Sequence, residues 1–266
     1  MEIRRTLTQE LEVSPEAAGR LLNGQAEKPA VWQVAEETPV AVLLNGQNFA
    51  VMMMTPADLE DFAVGFAITE GIVRSLDEIE SLRVGEAADG LLLNLVIDPA
   101  REQAVQDRRR TFAGRAGCGI CGAQTIAAAL PRPPKVKGLL PDLMALQAGY
   151  SALGPAQSMN LANHTTHAAA FCGLDGTIET IREDIGRHNA LDKLAGALAR
   201  AGRNASGGFA LLSSRVSVEM VQKAAMIGTP SLAAISAPSA LALRTAVQAG
   251  MTVYARTPDS VMEFPA

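Results

Sequence analysis

Apolar residues along this chain come in short runs separated by turn signals. Val40 to Leu44 and Phe49 to Met53 flank Asn45-Gly46. Asn-Gly accepts the positive φ angles of a tight turn, so the two runs predict an antiparallel hairpin. Thr55-Pro56-Ala57-Asp58 follows, in the form of a capping box with proline at the first helical position. It predicts a helix running to about Glu70, where Gly71 ends it. Leu91 to Ile97 predicts a further strand, stopped by Asp98-Pro99. Residues 1–36 carry only weak periodicity and read as a peripheral lead-in.

From Ala100 to Gly122 no apolar period survives, and glycine recurs at 114, 117, 119 and 122. Five arginines between Arg101 and Arg115 stand against Glu102 and Asp107, so the stretch reads as a mobile basic loop. Gln124 to Leu130 predicts a short helix, and Pro131, Pro133 and Pro134 after it mark an internal boundary. Beyond it the pattern is more regular. Ala168 to Cys172 and Thr177 to Ile181 predict a second hairpin around Asp175-Gly176. Leu191, Leu194 and Leu198 place an amphipathic helix over Asn189 to Ala201. Phe209–Leu212, Ser231–Ile235 and Met251–Tyr254 read as strands, alternating with helices at Val216–Ile227 and Ser239–Ala249. That alternation predicts parallel strands joined by right-handed crossovers. The chain thus divides into a lead-in (1–36), a part with the hairpin, helix and cysteine loop (37–135), and a C-terminal α/β part (136–266). The fold class is α/β (α+β), a mixed sheet with flanking helices.

Composition narrows the chemistry. A chain of 266 residues can bury roughly three quarters of its unfolded surface, so it needs neither disulfides nor metal to fold. A net charge of −5 argues against general affinity for nucleic acid or an anionic membrane. Met1 to Pro15 lacks the apolar core of a signal peptide. Ser231 to Val253 is interrupted by Pro238 and Arg244, which argues against a membrane span. The expectation is a cytoplasmic protein. Three cysteines make no disulfide framework, but Cys118 and Cys121 form C-x-x-C, which in a reducing compartment points to redox, metal or sulfur chemistry.

Around that pair the sequence reads Gly117-Cys118-Gly119-Ile120-Cys121-Gly122. Nearby arginines favour the thiolate, the reactive form of cysteine. A thioredoxin-like site wants a strand before the motif and a helix after it, and a closed zinc site wants four ligands. Persulfide carriage is the third reading, beside that of an unreactive pair. His164, His167 and Cys172 have conceivable metal-ligand spacing, yet the His-x-Glu of a zinc deaminase is absent. His167 and His188 therefore read as hydrogen-bonded site-lining or core histidines, and Cys172 as buried and inert. Ser213-Ser214-Arg215 and Ser236-Ala237-Pro238-Ser239 fall at two strand-to-helix junctions. Singly the serines read as N-caps; together, at the carboxyl ends of adjacent parallel strands, they suit a phosphate or nucleotide. Glu183 to Lys193 is the densest polar segment and reads as a structural network next to a site, with direct ligand contact as the sharper alternative.

In order, Thr55-Pro56-x-Asp58, Gly65-Phe66, Glu70-Gly71-Ile72 and Cys118-Gly-Ile-Cys121-Gly122 lead to Thr166-His167-Ala168-Ala169 and the segment Glu183–Lys193. Ser213-Ser214-Arg215-Val216-Ser217-x-Glu219-Met220 and Ser236-Ala237-Pro238-Ser239 complete the series. In this combination the chain resembles the formate dehydrogenase accessory sulfurtransferase family, FdhD, from about Glu37 to Thr252. The resemblance implies a cytidine deaminase-like fold without catalytic zinc, assembled as a homodimer. It implies a sulfurtransferase that takes sulfur from a cysteine desulfurase as a persulfide. The sulfur then passes to the molybdenum bis(molybdopterin guanine dinucleotide) cofactor, bound as substrate, before that cofactor enters formate dehydrogenase. Cys118 or Cys121 would carry the persulfide, Cys118 being favoured, with the other relaying or resolving it. The guanine nucleotide, which GDP would mimic, would lie near Ser214, Arg215, Ser236 and the segment after the last strand, Arg256, Thr257, Pro258, Asp259, Ser260 and Val261. There the family continues with Gly-Phe and a later Arg, whereas this chain reads Tyr254-Ala255-Arg256. A non-catalytic chaperone that only binds and delivers the cofactor is the alternative.

Overall fold

The computed structural model describes residues 1–8, 10–22, 27–103 and 131–266. Cys118, Cys121, the arginines at 108–110 and 115, and the predicted helix at Gln124–Leu130 lie outside the described residues. The stretch read as a lead-in holds three strands, β1 (Glu2–Thr6), β2 (Glu16–Leu22) and β3 (Glu27–Gln33). β2 and β3 pair antiparallel as a separate ribbon that leaves Leu22, Val31 and Trp32 exposed.

The predicted first hairpin is β4 (Thr38–Leu44) and β5 (Gln47–Met54), with Asn45 at φ 48° and Gly46 at φ 81° between them. Two successive positive φ values give the turn the hand that matches strand twist. After it come α1 (Leu59–Thr69), β6 (Ile79–Ala87) and β7 (Gly90–Ile97). The first sheet has the order β1-β6-β7-β4-β5, with β1 parallel to β6 and β4 parallel to β7. Alternate residues of β4 and β7, among them Val40, Val42, Leu93 and Leu95, are buried in the same core as Phe62 and Phe66 of α1.

The capping box does not form. α1 begins at Leu59, not at Pro56, and its N-cap Asp58 lies in the left-handed region at φ 52° without a side-chain cap. Thr55 is buried, and its Oγ1 accepts instead from the amide of Ile185 at 3.1 Å. A partner 130 positions away along the chain has displaced the local one.

The second sheet follows α2 (Leu143–Ala156) and α3 (Ser158–Asn163). It is built from β8 (His167–Gly173), β9 (Ile178–Asp184), β10 (Gly208–Leu212), β11 (Ser231–Ala234), β12 (Thr252–Arg256) and β13 (Val261–Phe264). The interleaved helices are α4 (Arg187–Arg200), α5 (Val218–Met226) and α6 (Ala240–Ala249). The order is β13-β12-β11-β10-β8-β9. β10, β11 and β12 are parallel through α5 and α6, while β8, β9 and β13 run antiparallel to their neighbours, so the expected mixed sheet is observed. Side chains alternate across it. Ala168, Ala170 and Cys172 share a core with Tyr150 and Leu153 of α2, while Ala169 and Phe171 pack with Leu191 and Leu194 of α4. The apolar pattern predicts no element at β6, α2, α3 or β13.

The two sheets are joined by α1 crossing α4. A Cβ on Gly65 would lie 1.7 Å from the Asp192 carbonyl oxygen, and one on Gly196 would lie 1.8 Å from that of Asp61. Only glycine lets two helix backbones approach so closely. With a sheet on one side and α4 on another, α1 is buried along its whole length; its sequence is mostly apolar, and its two buried acids, Glu60 and Asp61, are paired with arginines.

Candidate functional site

β10, β11 and β12 end together at one edge of the second sheet, and the two junctions expected there run side by side. Val216 and Pro238 form a parallel bridge, and the Ser239 amide donates to the Val216 carbonyl at 3.0 Å. α5 starts later than Ser213 and Ser214 suggest, whereas α6 is capped by Ser239 of the expected junction. The N-cap of α5 is Ser217, and that of α6 is Ser239, whose hydroxyl accepts from Ala242 N at 3.2 Å. Ser214 and Ser236 precede the helices rather than opening them. Several of the amides expected to be free are engaged, those of Ser213, Ile235 and Ser239 by Ala168, Leu212 and Val216. The buried Ser214 donates its hydroxyl to the Arg215 carbonyl at 3.1 Å, while Arg215 and Ser236 are exposed.

A cavity of about 440 Å³ opens at this edge on the α2 face, walled by Tyr150, Gln157, Asn160, His167, Ser213 and Arg256 among others. Pockets of this volume suit a small ligand or one part of a larger one. Of the predicted cofactor residues, Arg256 lines it; Ser214, Arg215 and Ser236 lie outside its walls. Thr257 to Ser260 form the turn into β13, closed by Thr257 N to Ser260 O and by Ser260 N to Thr257 Oγ1, both 2.9 Å. Pro258 and Asp259 are exposed on that turn, and Val261 packs against the core beneath. Tyr150 of α2, Asn160 of α3 and Gln157 between the two helices come from a stretch where the sequence carries no clear period to announce them.

Tyr150 is 4% exposed, and its hydroxyl has no hydrogen-bond partner; the Ala234 backbone faces it outside hydrogen-bonding geometry. Burial pushes this phenol up to about 12. A buried hydroxyl left unbonded costs stability, and here it stands at the wall of a cavity. Another part of the wall, at Asn160 and Thr166, is fixed by the buried Glu183 carboxylate, which accepts from Met159 N at 2.9 Å, Asn160 N at 2.8 Å and Thr166 Oγ1 at 3.1 Å.

The rest of the polar segment from Glu183 to Lys193 is the network that its composition suggests. Asp184 and Lys193, both fully buried, pair at 2.7 Å. Asp184 also accepts from Thr55 N, Gly186 N and Asn189 Nδ2, and Lys193 donates to the Thr55 carbonyl at 3.0 Å. Asp192 accepts from Lys223 Nζ and, at 2.6 Å, from Thr69 Oγ1. Burial works against the Lys223 ammonium, but Asp192 and Glu70 outweigh it and hold Lys223 above the usual lysine range. These pairs fasten α1 to α4, β9 and α5.

His167 lines the cavity, half-buried, and burial together with the Arg187 charge pulls it below the ordinary histidine value. His188 is shifted the same way for the same two leading reasons. It is not hydrogen-bonded as expected: its Nε2 is buried without a partner, 3.9 Å from Glu219 Oε2. His164 packs its ring against Trp32 at 5.5 Å between centroids. Cys172 is buried, its thiol pushed up to about 12 by desolvation, in keeping with an unreactive core residue. Among the described residues no cluster of three or more His, Cys, Asp or Glu is arranged to hold a metal, and no helix is long and apolar enough to cross a membrane.

The sequence pattern of the FdhD/NarQ family matches residues 35–264. Sulfur carrier protein FdhD of Xanthomonas euvesicatoria is 48% identical over 232 residues, 86% of this chain and 83% of that protein. Sulfur carrier protein FdhD of Cupriavidus necator is 45% identical over 224 residues, 83% and 77% of the two chains. A solved structure described as a formate dehydrogenase accessory protein, from Desulfotalea psychrophila, superposes with a TM-score of 0.72 over 96% of this chain and 98% of that one. At 24% identity that likeness is one of fold.

Proposed function

Because this chain belongs to the FdhD/NarQ family, we propose that it is a sulfur carrier serving formate dehydrogenase. The observation that carries the reading is the match over 35–264, which spans the C-x-x-C at Cys118 and Cys121, to relatives named as sulfur carriers. A thiolate of the pair attacks the outer sulfur of a desulfurase persulfide, and the desulfurase cysteine leaves as its thiolate. Attack by the second cysteine on the inner sulfur then releases sulfide and closes a Cys118–Cys121 disulfide, which a cellular thiol reduces again. The acceptor is the molybdenum bis(molybdopterin guanine dinucleotide) cofactor. Its guanine nucleotide part, or GDP in its place, occupies the cavity between Tyr150 and Arg256. The unbonded Tyr150 hydroxyl and the polar lining support that placement. The reaction takes place in the cytoplasm, and the exposed apolar ribbon of β2 and β3 suits a homodimer.

Incubation with a cysteine desulfurase and cysteine, followed by intact mass spectrometry, is expected to show one added sulfur atom. The adduct should be lost in the Cys118→Ala, Cys121→Ala double variant. An unchanged adduct in that variant, or none in the wild type, rules out the carrier role. Formate dehydrogenase activity that survives the double variant in cells would instead favour a chaperone that only delivers the cofactor.

A further inference from the structure

Among the described residues three arginines are half-buried. Arg101 pairs with Glu78 and Arg182 with Asp61, as half-buried guanidinium groups require. Arg187 has no carboxylate within ion-pairing distance among the described residues, and its Nε is shut off from water without a partner. It opens α4 at the same sheet edge as the cavity, since His167 of β8 stands opposite Asp184 of β9, three residues before it. Its charge reaches both His167, in the cavity wall, and His188 beside it. Burial and that charge lower both imidazoles, and Arg187, which lies outside the cavity wall itself, is a permanent positive charge beside them.

We propose that Arg187 is an anion-binding residue of this edge, and that it takes the diphosphate of the nucleotide part of the cofactor. The assignment rests on the nucleotide reading above. A nucleotide whose base and sugar fill a cavity of about 440 Å³ presents its diphosphate at the rim, where a guanidinium can bind two phosphate oxygens at once. Glu219 is the competing partner: it lies within electrostatic reach of Arg187 but is 55% exposed, and it approaches His188 instead.

Calorimetric titration of the full chain with GDP, guanosine and inorganic pyrophosphate separates these roles. Arg187→Gln should weaken GDP and pyrophosphate by roughly ten-fold or more and leave guanosine little changed, because one charge-assisted contact to phosphate is lost. Arg187→Lys should recover part of the loss. Arg244→Gln, at an exposed position of α6, should bind as the wild type. Glu219→Gln should bind GDP at least as tightly. GDP and pyrophosphate binding unaffected by Arg187→Gln would overturn the proposal. So would a fall in thermal stability shared by Arg187→Gln and Glu219→Gln, with all three ligands weakened alike, because that is the signature of a structural pair. If the wild type binds pyrophosphate through Arg187 but neither GDP nor guanosine, the nucleotide reading fails and Arg187 stands as an anion site. If it binds none of the three, both fall.

Discussion

One eleven-residue segment, Glu183 to Lys193, holds two kinds of polar residue that look alike in one dimension. Asp184, Asn189, Asp192 and Lys193 face inward, and each meets its hydrogen-bond and charge requirements from β5 and the stretch between it and α1, from α1 and α5, or from one another across β9 and α4. Arg187 and His188, in the middle of the same segment, face the sheet edge and keep buried nitrogen atoms unbonded. A buried charge survives when it is paired, and pairing at this density identifies a fastening. Polar groups covered but left unpaired cost stability without return inside the protein, so their place beside a cavity points to a ligand. The lesson is that polar satisfaction, more than polarity, separates scaffold from site.

The comparison can be broken most severely at the helix crossing on which the fastening depends. Gly65→Ala or Gly196→Ala forces a methyl into a backbone oxygen and should destabilise the protein by about 3 kcal/mol or more, beyond the usual range for overpacking. Urea denaturation, or loss of soluble protein, reads this; near-wild-type stability would show that the helices can slide apart. Next in size, Lys193→Met leaves Asp184 buried without its cation and should cost about 3–5 kcal/mol. If the cost is below about 1 kcal/mol, the pair is not the fastening described here.

The smallest effect belongs to the edge and comes from pH. His167 and His188 are held below the ordinary histidine value of about 6.5 by burial first and Arg187 second. For His188, Lys223 adds to the depression, while Glu219 and Glu70 act against it. Between the folded and unfolded values the unfolded chain binds more protons, so stability is complete above about 6.5 and falls as pH drops toward the folded values. Melting temperatures measured from pH 7.5 down to 5 should decline, and His188→Gln should flatten the decline. A slope unchanged in that variant would assign the effect to His167 or to carboxylates.

Local rules carried part of the fold. Asn45-Gly46 and Asp175-Gly176 specify their hairpins through residues that accept positive φ, and Gly71 and Gly250 take up the left-handed conformation that closes α1 and α6. The strand and helix alternation from Phe209 to Tyr254 was legible because each element has its own apolar period and short connections. Where chain neighbours and distant partners competed, the sequence misled. Thr55 has the spacing of an N-cap yet serves Ile185, and Ser214 precedes a helix that it does not cap. β13 escapes the pattern because its residues are mostly exposed, and α2 because only one narrow face of it is buried.

By itself the sequence determined the family, through the order of its polar motifs, and the mixed α/β class, and it singled out Cys118 and Cys121 as the candidates for carrying sulfur. These depend on residue identity and on contacts between near neighbours along the chain. Only the tertiary structure decided that Arg256 reaches the cavity while Ser214 and Ser236 do not, and that Tyr150 stands unbonded in its wall. It alone separated Asp184 and Lys193 from Arg187 and His188. The physical reason is that a polar side chain is read by its partners, and here the deciding ones lie as far as 138 positions away along the chain.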